Sequence, residues 1–423
     1  NSFVIGANVA QALPAAYISA GVADSTIAGT EAYIGRFSAF STLTYGTYLG
    51  GSANETINDI EVQPDGRVVF IGTSNSALTE VNSAAASSTG TDNDFMLGVL
   101  NNAGTAFDYL DKIGGLAADN GYDTEVYNGK IYFTGQSSSS TFPVTAGAFD
   151  TTINGTTDAI AAVVDLAGGS AGYKASFYGG SGGSTLGNGL KLLTKSPCIA
   201  GSLTEPVVLL FGTSSSSALP LRNVNGESFY SATRAGGLDM FFAGFSPDMT
   251  QVKYATYMGG TQSDYLGDTG SPRGSNHLWF NDVDSIFLGT TTHSVSHTPT
   301  LVGNGFDTSK SNSTNDSHLL LKLYVSSLAV VDYSDAPASY GAPLHATLCS
   351  APPLRIGATI DPEPGALPTA AANGDDLNNT DDEDGIATLP VLTFGGPQNI
   401  SITVTSFANS TGSAATLYAW IDL

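Results

Sequence analysis

The densest group of potential metal ligands in this sequence is an acidic segment at residues 374–385. It reads GDDLNNTDDEDG, so six of its twelve residues are carboxylates, and it holds no lysine or arginine. Like charges packed this closely repel one another, and water, a metal ion or a binding partner must offset that repulsion. Calcium binds about six to eight carboxylate and carbonyl oxygens, so it is the metal that this composition favours.

Two acids upstream of this segment could bind the same ion if the loops fold over one another. The predicted calcium ligands are Asp361, Glu363, Asp375, Asp376, Asp381, Asp382, Glu383 and Asp384. Their spacing is not that of an EF-hand loop, so it does not define a coordination geometry. A solvated acidic loop without a metal is the alternative that the sequence leaves open.

No comparable set of residues indicates catalysis. The stretch GGSGG at residues 179–183 matches the G-x-S-x-G pattern around a nucleophilic serine, but the similar stretches GGSAN, GGLAA and GGTQS show that it belongs to an internal repeat. His293 and His297 are four residues apart, as in some metal sites on helices, yet they lie in a stretch that reads as a loop before a proline. We therefore predict no catalytic residue and a protein that is not an enzyme.

The charge balance restricts the partners of the chain. Its 423 residues include 14 Lys and Arg against 38 Asp and Glu, which gives a net charge of −24 at pH 7. Nucleic acids and anionic membranes would repel such a surface. No apolar run reaches the roughly 18 residues that a membrane-spanning helix needs. We expect neither nucleic-acid binding nor membrane insertion, and the high content of Gly, Ser, Thr and Asn favours an extracellular protein.

The two cysteines leave the redox state open. Cys198 and Cys349 are either separate thiols or one disulfide between the main body and the C-terminal region, which an oxidising compartment permits. The sequence starts at Asn1 with neither an initiator methionine nor a leader, so we expect a mature product or an excised fragment.

Three motifs recur in the same order along the first three quarters of the chain. The first is a strand that ends in two glycines: TYGTYLGG, YLDKIGG, KASFYGG and KYATYMGG. The second is an apolar strand that ends in a glycine, at Gly72, Gly135, Gly212 and Gly289, with Gly6 in the same place in the opening SFVIGAN. The third is an acid before an apolar strand, at Glu31, Asp94, Asp158, Asp239 and Asp316. The interval is roughly 64 residues at first and roughly 80 later, which indicates a repeat protein.

Each repeat offers about four short strands, in the first complete unit near residues 43–49, 57–62, 67–72 and 95–100. Several strands are apolar at consecutive positions, as in Val207–Phe211, which predicts burial on both faces. The stacked four-stranded blades of a β-propeller bury their strands in this way. We therefore predict an all-β fold with a β-propeller of about five blades.

The first blade is incomplete in this prediction, because the sequence before the first strand with a double glycine, TYGTYLGG at residues 44–51, supplies only its outer two strands. The stretch AVVDYS at residues 329–334 is a candidate strand to close the ring. A larger ring with missing blades is the alternative.

The strongest copy of the repeat is STFPVTAGAFDTTINGTTDAIAAVV at residues 140–164, and the proline returns in SALPL (217–221) and QALPAAY (11–17). With its Ser-rich link, its Phe-Pro and its Asp-Ala strand, this repeat resembles the SBBP β-propeller family. The resemblance covers residues 1 to about 325 and implies a propeller domain over residues 1–330. It implies little about activity, because propellers serve unrelated functions.

The last part of the chain differs from the repeats. It reads DYSDAPASYG (332–341), LRIGATIDPEPG (354–365), the acidic segment and a final AWIDL. This order resembles the GEVED domain of Bacteroidota-type secreted and surface proteins, although Ser334 and Ala338 replace a glycine and an aspartate of that family. The resemblance implies an acidic β-sandwich over residues 331–423, which is either incomplete or completed by a strand from another chain.

Together these features predict a non-enzymatic cell-surface protein that acts in adhesion or as a structural subunit of an extracellular assembly or filament. Calcium would stabilise its C-terminal domain. The two incomplete domains favour strand complementation by other copies of the chain or by other surface proteins. A glycan- or protein-binding propeller, with Trp279 in its site, is the second hypothesis. A propeller hydrolase or lyase is the third, and the sequence lacks a convincing acid–base pair for it.

Overall fold

The computed structural model describes most of the first 294 residues and short pieces of the remainder. The described residues are 2–38, 42–85, 91–195, 202–222, 231–266, 278–280, 285–294, 297–298, 317–324, 331–333, 344–346, 355–356 and 404–405. The chain divides into two compact units, one of Asn1–Thr194 and Thr204–Leu323 and the other of Lys195–Leu203 and Tyr324–Leu423. The proposed domain boundary at 330/331 stays a prediction, since most of the second unit lies outside the described residues.

The first unit is a series of small antiparallel sheets, which confirms the predicted all-β fold. The first sheet has the order β1-β2-β3, with β1 at Phe3–Val9, β2 at Glu31–Phe37 and β3 at Leu43–Leu49. The second has the order β4-β5-β6-β7, at Glu55–Val62, Val68–Ser74, Asp94–Leu100 and Phe107–Ile113. The third has the same arrangement, with β8 at Asp119–Tyr127, β9 at Lys130–Ser137, β10 at Asp158–Asp165 and β11 at Tyr173–Tyr178.

The later sheets follow the same plan with additions. The fourth consists of β12 (Thr185–Lys195), β13 (Ser202–Ser214), β14 (Asp239–Phe245) and β15 (Val252–Gly260), to whose end β19 (His297–Thr298) is paired. In the fifth, β16 (Asp264–Leu266) and β17 (Leu278–Phe280) pair with successive parts of β18 (Ser285–Thr292), which also pairs with β20 (Ser317–Tyr324). Among the described residues the helical elements are two short 3₁₀ turns, Ala15–Tyr17 and Gly169–Gly172.

Successive sheets share their cores, which explains the continuous apolar runs in the sequence. Every residue of β5, β6 and β14 is buried, and Val207–Phe211 of β13 is buried throughout, as predicted. One cluster joins β5 and β6 of the second sheet to β9 and β10 of the third, with Ile71, Phe95 and Phe133 among its members. Phe95 and Phe133 meet edge to face at 6.0 Å between ring centroids. Strands covered on both faces are apolar at every position because neither face meets water.

The grouping of the strands differs from the prediction. The four strands predicted as one unit exist, but the strand at Leu43–Leu49 pairs with β2 of the first sheet and not with β4. The first sheet therefore has three strands, and the expectation of only two was wrong. In β21, Val331–Tyr333 pairs with Leu344–Ala346 (β22), so the candidate closing strand is used within the second unit. Over the described residues the sheets do not form a closed ring, and the propeller stays a prediction.

The second unit is described only in part. Besides β21 and β22 it contains one further antiparallel pair, β23 (Arg355–Ile356) with β24 (Val404–Thr405). The predicted β-sandwich is not tested by these fragments. In the described part of the whole chain, no helix has the length and hydrophobicity needed to span a membrane.

Candidate functional site: carboxyl groups between successive sheets

The predicted calcium ligands lie outside the residues that the structure describes. They are Asp361, Glu363, Asp375, Asp376, Asp381, Asp382, Glu383 and Asp384. Cys198 and Cys349 also lie outside, so the calcium site and the disulfide alternative stay predictions. Elsewhere, in the described residues, no three His, Cys, Asp or Glu side chains are arranged to hold a metal ion.

The double glycine and the acid of the third motif meet at each junction between successive sheets. A β-carbon added to the first glycine would collide with the carboxyl group of that acid. The distances to the nearest carboxyl atom would be 1.9 Å for Gly50 and Glu31, 2.0 Å for Gly114 and Asp94, 2.0 Å for Gly179 and Asp158, and 2.6 Å for Gly259 and Asp239. Only glycine allows the buried carboxyl to approach the backbone this closely.

The glycine of the second motif is required for a different reason. The first strands of the second and third sheets, β4 and β8, each contain a bulge that brings a carbonyl oxygen close to the neighbouring second strand. A β-carbon on Gly72, Gly135 or Gly212 would lie 1.8, 2.0 or 1.8 Å from the carbonyl oxygen of Thr56, Asn120 or Leu186. These glycines therefore make room for the first strand of their own sheet.

The first sheet departs from this rule. Ala7 pairs with Tyr33, two residues after the acid Glu31, just as Gly72 pairs with Met96, two residues after the acid Asp94. The position equivalent to Gly72 is therefore Ala7, and the expectation that Gly6 fills it was wrong by one residue.

Two fully buried glutamates form the first junction, between the first and second sheets. Glu31 Oε1 accepts the Ala28 N–H at 3.0 Å, and Glu55 Oε2 accepts the Gly51 N–H at 3.2 Å. Glu55 Oε1 accepts the Ser74 hydroxyl at 2.8 Å. Burial, with a smaller contribution from the charge of Glu55, raises the pKa of Glu31 to about 7.

The second junction contains its own cation. Asp94 and Asp119 are buried there, and Lys112 Nζ lies 3.1 Å from Asp94 Oδ2, with both side chains almost fully buried. The Gly115 N–H donates to Asp119 Oδ2 at 2.7 Å. Burial raises the pKa of Asp119 to about 7, although hydrogen bonds from Ser137 and Gly115 oppose the shift.

The third junction replaces the second acid by a hydroxyl. Asp158 accepts the backbone N–H groups of Asn154 and Gly155 at 2.6 and 3.1 Å, and Thr185 occupies the position of Asp119 and lies 2.9 Å from a serine hydroxyl. The GGSGG stretch belongs to this junction. Ser181 is exposed, and its carbonyl accepts the Ser216 hydroxyl at 2.9 Å. This arrangement gives the stretch a structural role in the turn.

The fourth junction again pairs two acids. Asp239 accepts the Ala235 N–H at 2.7 Å, and burial raises its pKa to about 6. Asp264 accepts the Gly260 N–H at 2.7 Å and the Ser294 hydroxyl at 2.8 Å. A buried carboxyl therefore recurs at all four junctions. At the first, second and fourth it accepts the N–H of the second glycine in the turn that leads to the next sheet, whereas at the third Asp158 holds the loop before β10.

A second group of charged residues lies on the first strands of three sheets. We call it the first-strand seam, and it consists of Asp59 and Glu61 on β4, Asp123 and Glu125 on β8, and Lys191 on β12. The carboxyls of Asp59 and Asp123 face each other, and a hydrogen bond between them requires a shared proton. Burial raises the pKa of Asp59 to about 6, and burial and the Asp59 charge raise the pKa of Asp123 well above its usual range.

Each aspartate of the seam also accepts a backbone hydrogen bond from the first strand of the following sheet. Asp59 Oδ2 accepts the Thr124 N–H at 3.2 Å, and Asp123 Oδ2 accepts the Leu190 N–H at 2.7 Å. The two bonds are equivalent. Thr124 directly follows Asp123 on β8, and Leu190 directly follows Gly189, which occupies the position of Asp123 on β12. The seam therefore links the second, third and fourth sheets through one repeated contact.

The outer part of the seam is an ion pair with a second carboxyl, that of Glu61, beside it. Lys191 Nζ pairs with a carboxylate oxygen of Glu125, and the two side chains are 16% and 25% exposed. Burial lowers the pKa of Lys191, but the charges of Asp123 and Glu125 outweigh it and the pKa is raised. Burial, and then the charge of Glu125, raises the pKa of Glu61 to about 7.

The sequence contains a signal for the seam beyond the three motifs of the repeat. The motif D-x-E-V occurs at residues 59–62 and again at 123–126, at the interval of the repeat. In β12 the equivalent positions are Gly189 and Lys191, so a lysine replaces the glutamate and pairs with Glu125 of the neighbouring sheet. Acids that recur at the repeat period on consecutive first strands indicate neighbours in space.

The residues of the other hypotheses are placed as follows. Trp279 lies on β17, opposite Phe287 of β18, and its side chain lies outside the described residues. His293 follows β18 as a loop residue, as predicted, and its ring lies 5.8 Å from that of Tyr265. His297 is paired with Gly260 at the end of β15, which places it in a strand and not in a loop.

Comparison with known proteins does not assign the chain to a family. No protein-family model matches the chain, and no curated protein matches it significantly. The resemblances to SBBP repeats and to the GEVED domain therefore rest on the quoted motifs alone. In the described residues the carboxyl groups accept hydrogen bonds from strands and turns of the same and neighbouring sheets, so they fasten sheets and turns together.

Proposed function

We propose that this chain is a non-enzymatic structural protein of the cell exterior, which acts in adhesion or as a subunit of an extracellular assembly. Residues 1–330 form a β-propeller of about five blades, and residues 331–423 form a calcium-stabilised β-sandwich. The repeat, the glycine-rich acidic composition and the two resemblances support this proposal. The carboxyl groups at the junctions and in the seam also support it, because their bonds hold the sheets together.

The feature that best supports the assembly role is the outer edge of β1, on the side away from β2. In the second, third and fourth sheets, the second strand is flanked by a first strand, namely β4, β8 or β12. In the described part of the chain β1 pairs with β2 alone. No residue of Phe3–Val9 is buried and Ile5 is 41% exposed, whereas the equivalent strand β5 is buried throughout.

An edge of this kind accepts a further strand. Its outward N–H and C=O groups form a template for pairing with another chain, and soluble proteins normally protect such edges. A strand from another copy of the chain, or from another surface protein, completes the first sheet by β-augmentation. Because Ala7 replaces the glycine that faces the bulge in the other sheets, the added strand runs past this position without a bulge.

Light scattering on the natively purified chain tests the proposal. We expect assemblies larger than a monomer, and we expect Ile5→Lys to shift them towards the monomer because a lysine on an edge strand opposes strand addition. Leu116→Lys is the matched control, since Leu116 is an exposed leucine outside β1 (74% exposed) and its replacement leaves the edge unchanged. A monodisperse, fully folded monomer of the unmodified chain at all concentrations would refute the assembly role.

A further inference from the structure

The four junctions differ in how they compensate their buried negative charge. The second junction contains the ammonium group of Lys112, and the third has Thr185 in place of a second acid. At the fourth, the positive charge of Arg234 acts on Asp239. The first junction has two fully buried glutamates, Glu31 and Glu55, and no described lysine, arginine or histidine forms an ion pair with either of them.

The hydrogen bonds at the first junction leave one oxygen without a donor. The other oxygen of Glu31 and both oxygens of Glu55 accept hydrogen bonds, whereas Glu31 Oε2 is buried and has no hydrogen-bond donor among the described residues. Glu31 Oε2 and Glu55 Oε2 face the same small space beside Gly50, at 1.9 and 2.4 Å from the position of a β-carbon there. A proton between these two atoms satisfies the fourth oxygen and removes one of the two buried charges.

We infer that Glu31 and Glu55 share one proton through their Oε2 atoms, and that loss of this proton loosens the first sheet from the second. The groups that face the pair favour the proton. The loop before β2 contributes the negative charge of Asp24, β5 contributes the neutral Ser74 hydroxyl, and β3 contributes the backbone at Gly50 and Gly51. The raised pKa of Glu31, about 7, agrees with this geometry.

Proton linkage makes the opening of the first sheet more favourable as the pH rises. A glutamate in an opened junction titrates near its ordinary pKa of about 4.3, so opening releases the shared proton at any pH between that value and about 7. The opening equilibrium therefore rises with pH by up to about tenfold per unit in this range and is constant above pH 7. The first sheet, with the edge of β1, is held at mildly acidic pH and released at neutral pH. This inference does not depend on whether β1 accepts a strand.

Hydrogen exchange of the full chain, followed by mass spectrometry from pH 5 to pH 8.5 and corrected for intrinsic exchange rates, tests the inference. For peptides from Glu31–Phe37 and Leu43–Leu49, we expect the opening equilibrium constant to be at least tenfold larger at pH 7 than at pH 5. In Glu31→Gln the amide nitrogen donates to Glu55 at every pH and the amide oxygen still accepts the Ala28 N–H, so the same peptides lose this dependence. Glu55→Gln is a second variant that also removes the shared proton, although it loses the Gly51 N–H bond to Oε2. Asp158→Asn at the third junction is the control that keeps the dependence.

Two results would overturn the inference. One is a first sheet whose opening does not change with pH in the unmodified chain, or changes equally in Glu55→Gln. The other is a first sheet that calcium alone closes at pH 8 through a site that Glu55→Gln removes, since the pair then holds a metal ion and not a proton. An infrared titration gives a second readout: the part of the protonated-carboxyl C=O stretch that Glu31→Gln removes is present at pH 5 and disappears by pH 8.

Discussion

Asp59 on β4 and Asp123 on β8 face each other across the boundary between the second and third sheets, where burial and then the charge of Asp59 raise the pKa of Asp123. Asp123 is fully buried, and its carboxyl accepts the Leu190 N–H of the next sheet. A proton shared by the two carboxyls joins the second and third sheets. We therefore expect this pair to make the stability of the chain depend on pH.

We expect Asp123→Asn to reduce that pH dependence. A carboxyl whose pKa is raised on folding stabilises the fold fully below its unfolded-state value, near 4 for an aspartate, and this stabilisation is lost as the pH rises through the folded-state value, about 6 for Asp59. The unmodified chain should lose up to roughly 3 kcal/mol between these pH values from this group. The asparagine donates to Asp59 and still accepts from Leu190, so it should remove most of this slope.

Urea unfolding at a series of pH values measures the effect. Asp65→Asn, at an exposed acid of the β4–β5 turn, is the control and should leave the slope unchanged. An unaltered slope in Asp123→Asn would mean that the two carboxyls do not share a proton.

We expect Lys112→Met to destabilise the chain strongly. Lys112 and Asp94 are both buried, and removing one partner of a buried ion pair leaves the other charge uncompensated, at a cost of about 3 to 5 kcal/mol. Arg67→Met removes the ion pair between Arg67 and Asp65, whose side chains are exposed, and should have no measurable effect. Thermal and urea unfolding of both variants compare the two pairs directly, and equal effects would contradict the burial argument.

Gly72→Ala should destabilise the second sheet. The added β-carbon would lie 1.8 Å from the carbonyl oxygen of Thr56, so β4 or β5 must shift, at a cost of about 2 to 3 kcal/mol or more. Gly6→Ala in β1 is the matched substitution, because only the flexible side chains of Ile57 and Ile60 lie near its β-carbon, at 3.3 Å or more. We expect Gly6→Ala to change stability by no more than about 1 kcal/mol. If both variants unfold at the same urea concentration, the bulge does not explain the glycine.

The sequence predicted the strands well because their apolar runs are local signals. Val207–Phe211 is buried as expected, and the double glycines and the acids of the third motif meet at the junctions. The grouping of strands into sheets could not be predicted in the same way. A repeat shows which strands recur but not where one sheet ends, so Leu43–Leu49 was assigned to the second sheet although it closes the first.

The carboxyl contacts were harder to predict from the sequence. The local sequence places Asp65 in the turn QPDG and Asp59 in a strand, but it does not show that Asp59 faces another acid across a sheet boundary. That contact arises from the packing of β4 against β8, two strands about one repeat apart in the chain. The recurrence of acids at equivalent positions in successive repeats, as with D-x-E-V, is the feature of the sequence that indicates it.

Calcium removal tests the acidic segment at residues 374–385, where the repulsion among the acids has to be offset. If a calcium ion is bound there, EDTA should lower the melting temperature of the chain, because a ligand that binds only the folded state stabilises it by an amount that grows with the logarithm of the ligand concentration above its Kd. The triple variant Asp381→Asn, Asp382→Asn and Asp384→Asn should melt at one temperature with and without calcium. Its matched control is Asp65→Asn, Asp92→Asn and Asp108→Asn, which removes three exposed acids from the first unit and should keep the response to calcium. Equal melting of the unmodified chain in calcium and in EDTA would instead identify GDDLNNTDDEDG as a solvated loop, whose charges water alone screens.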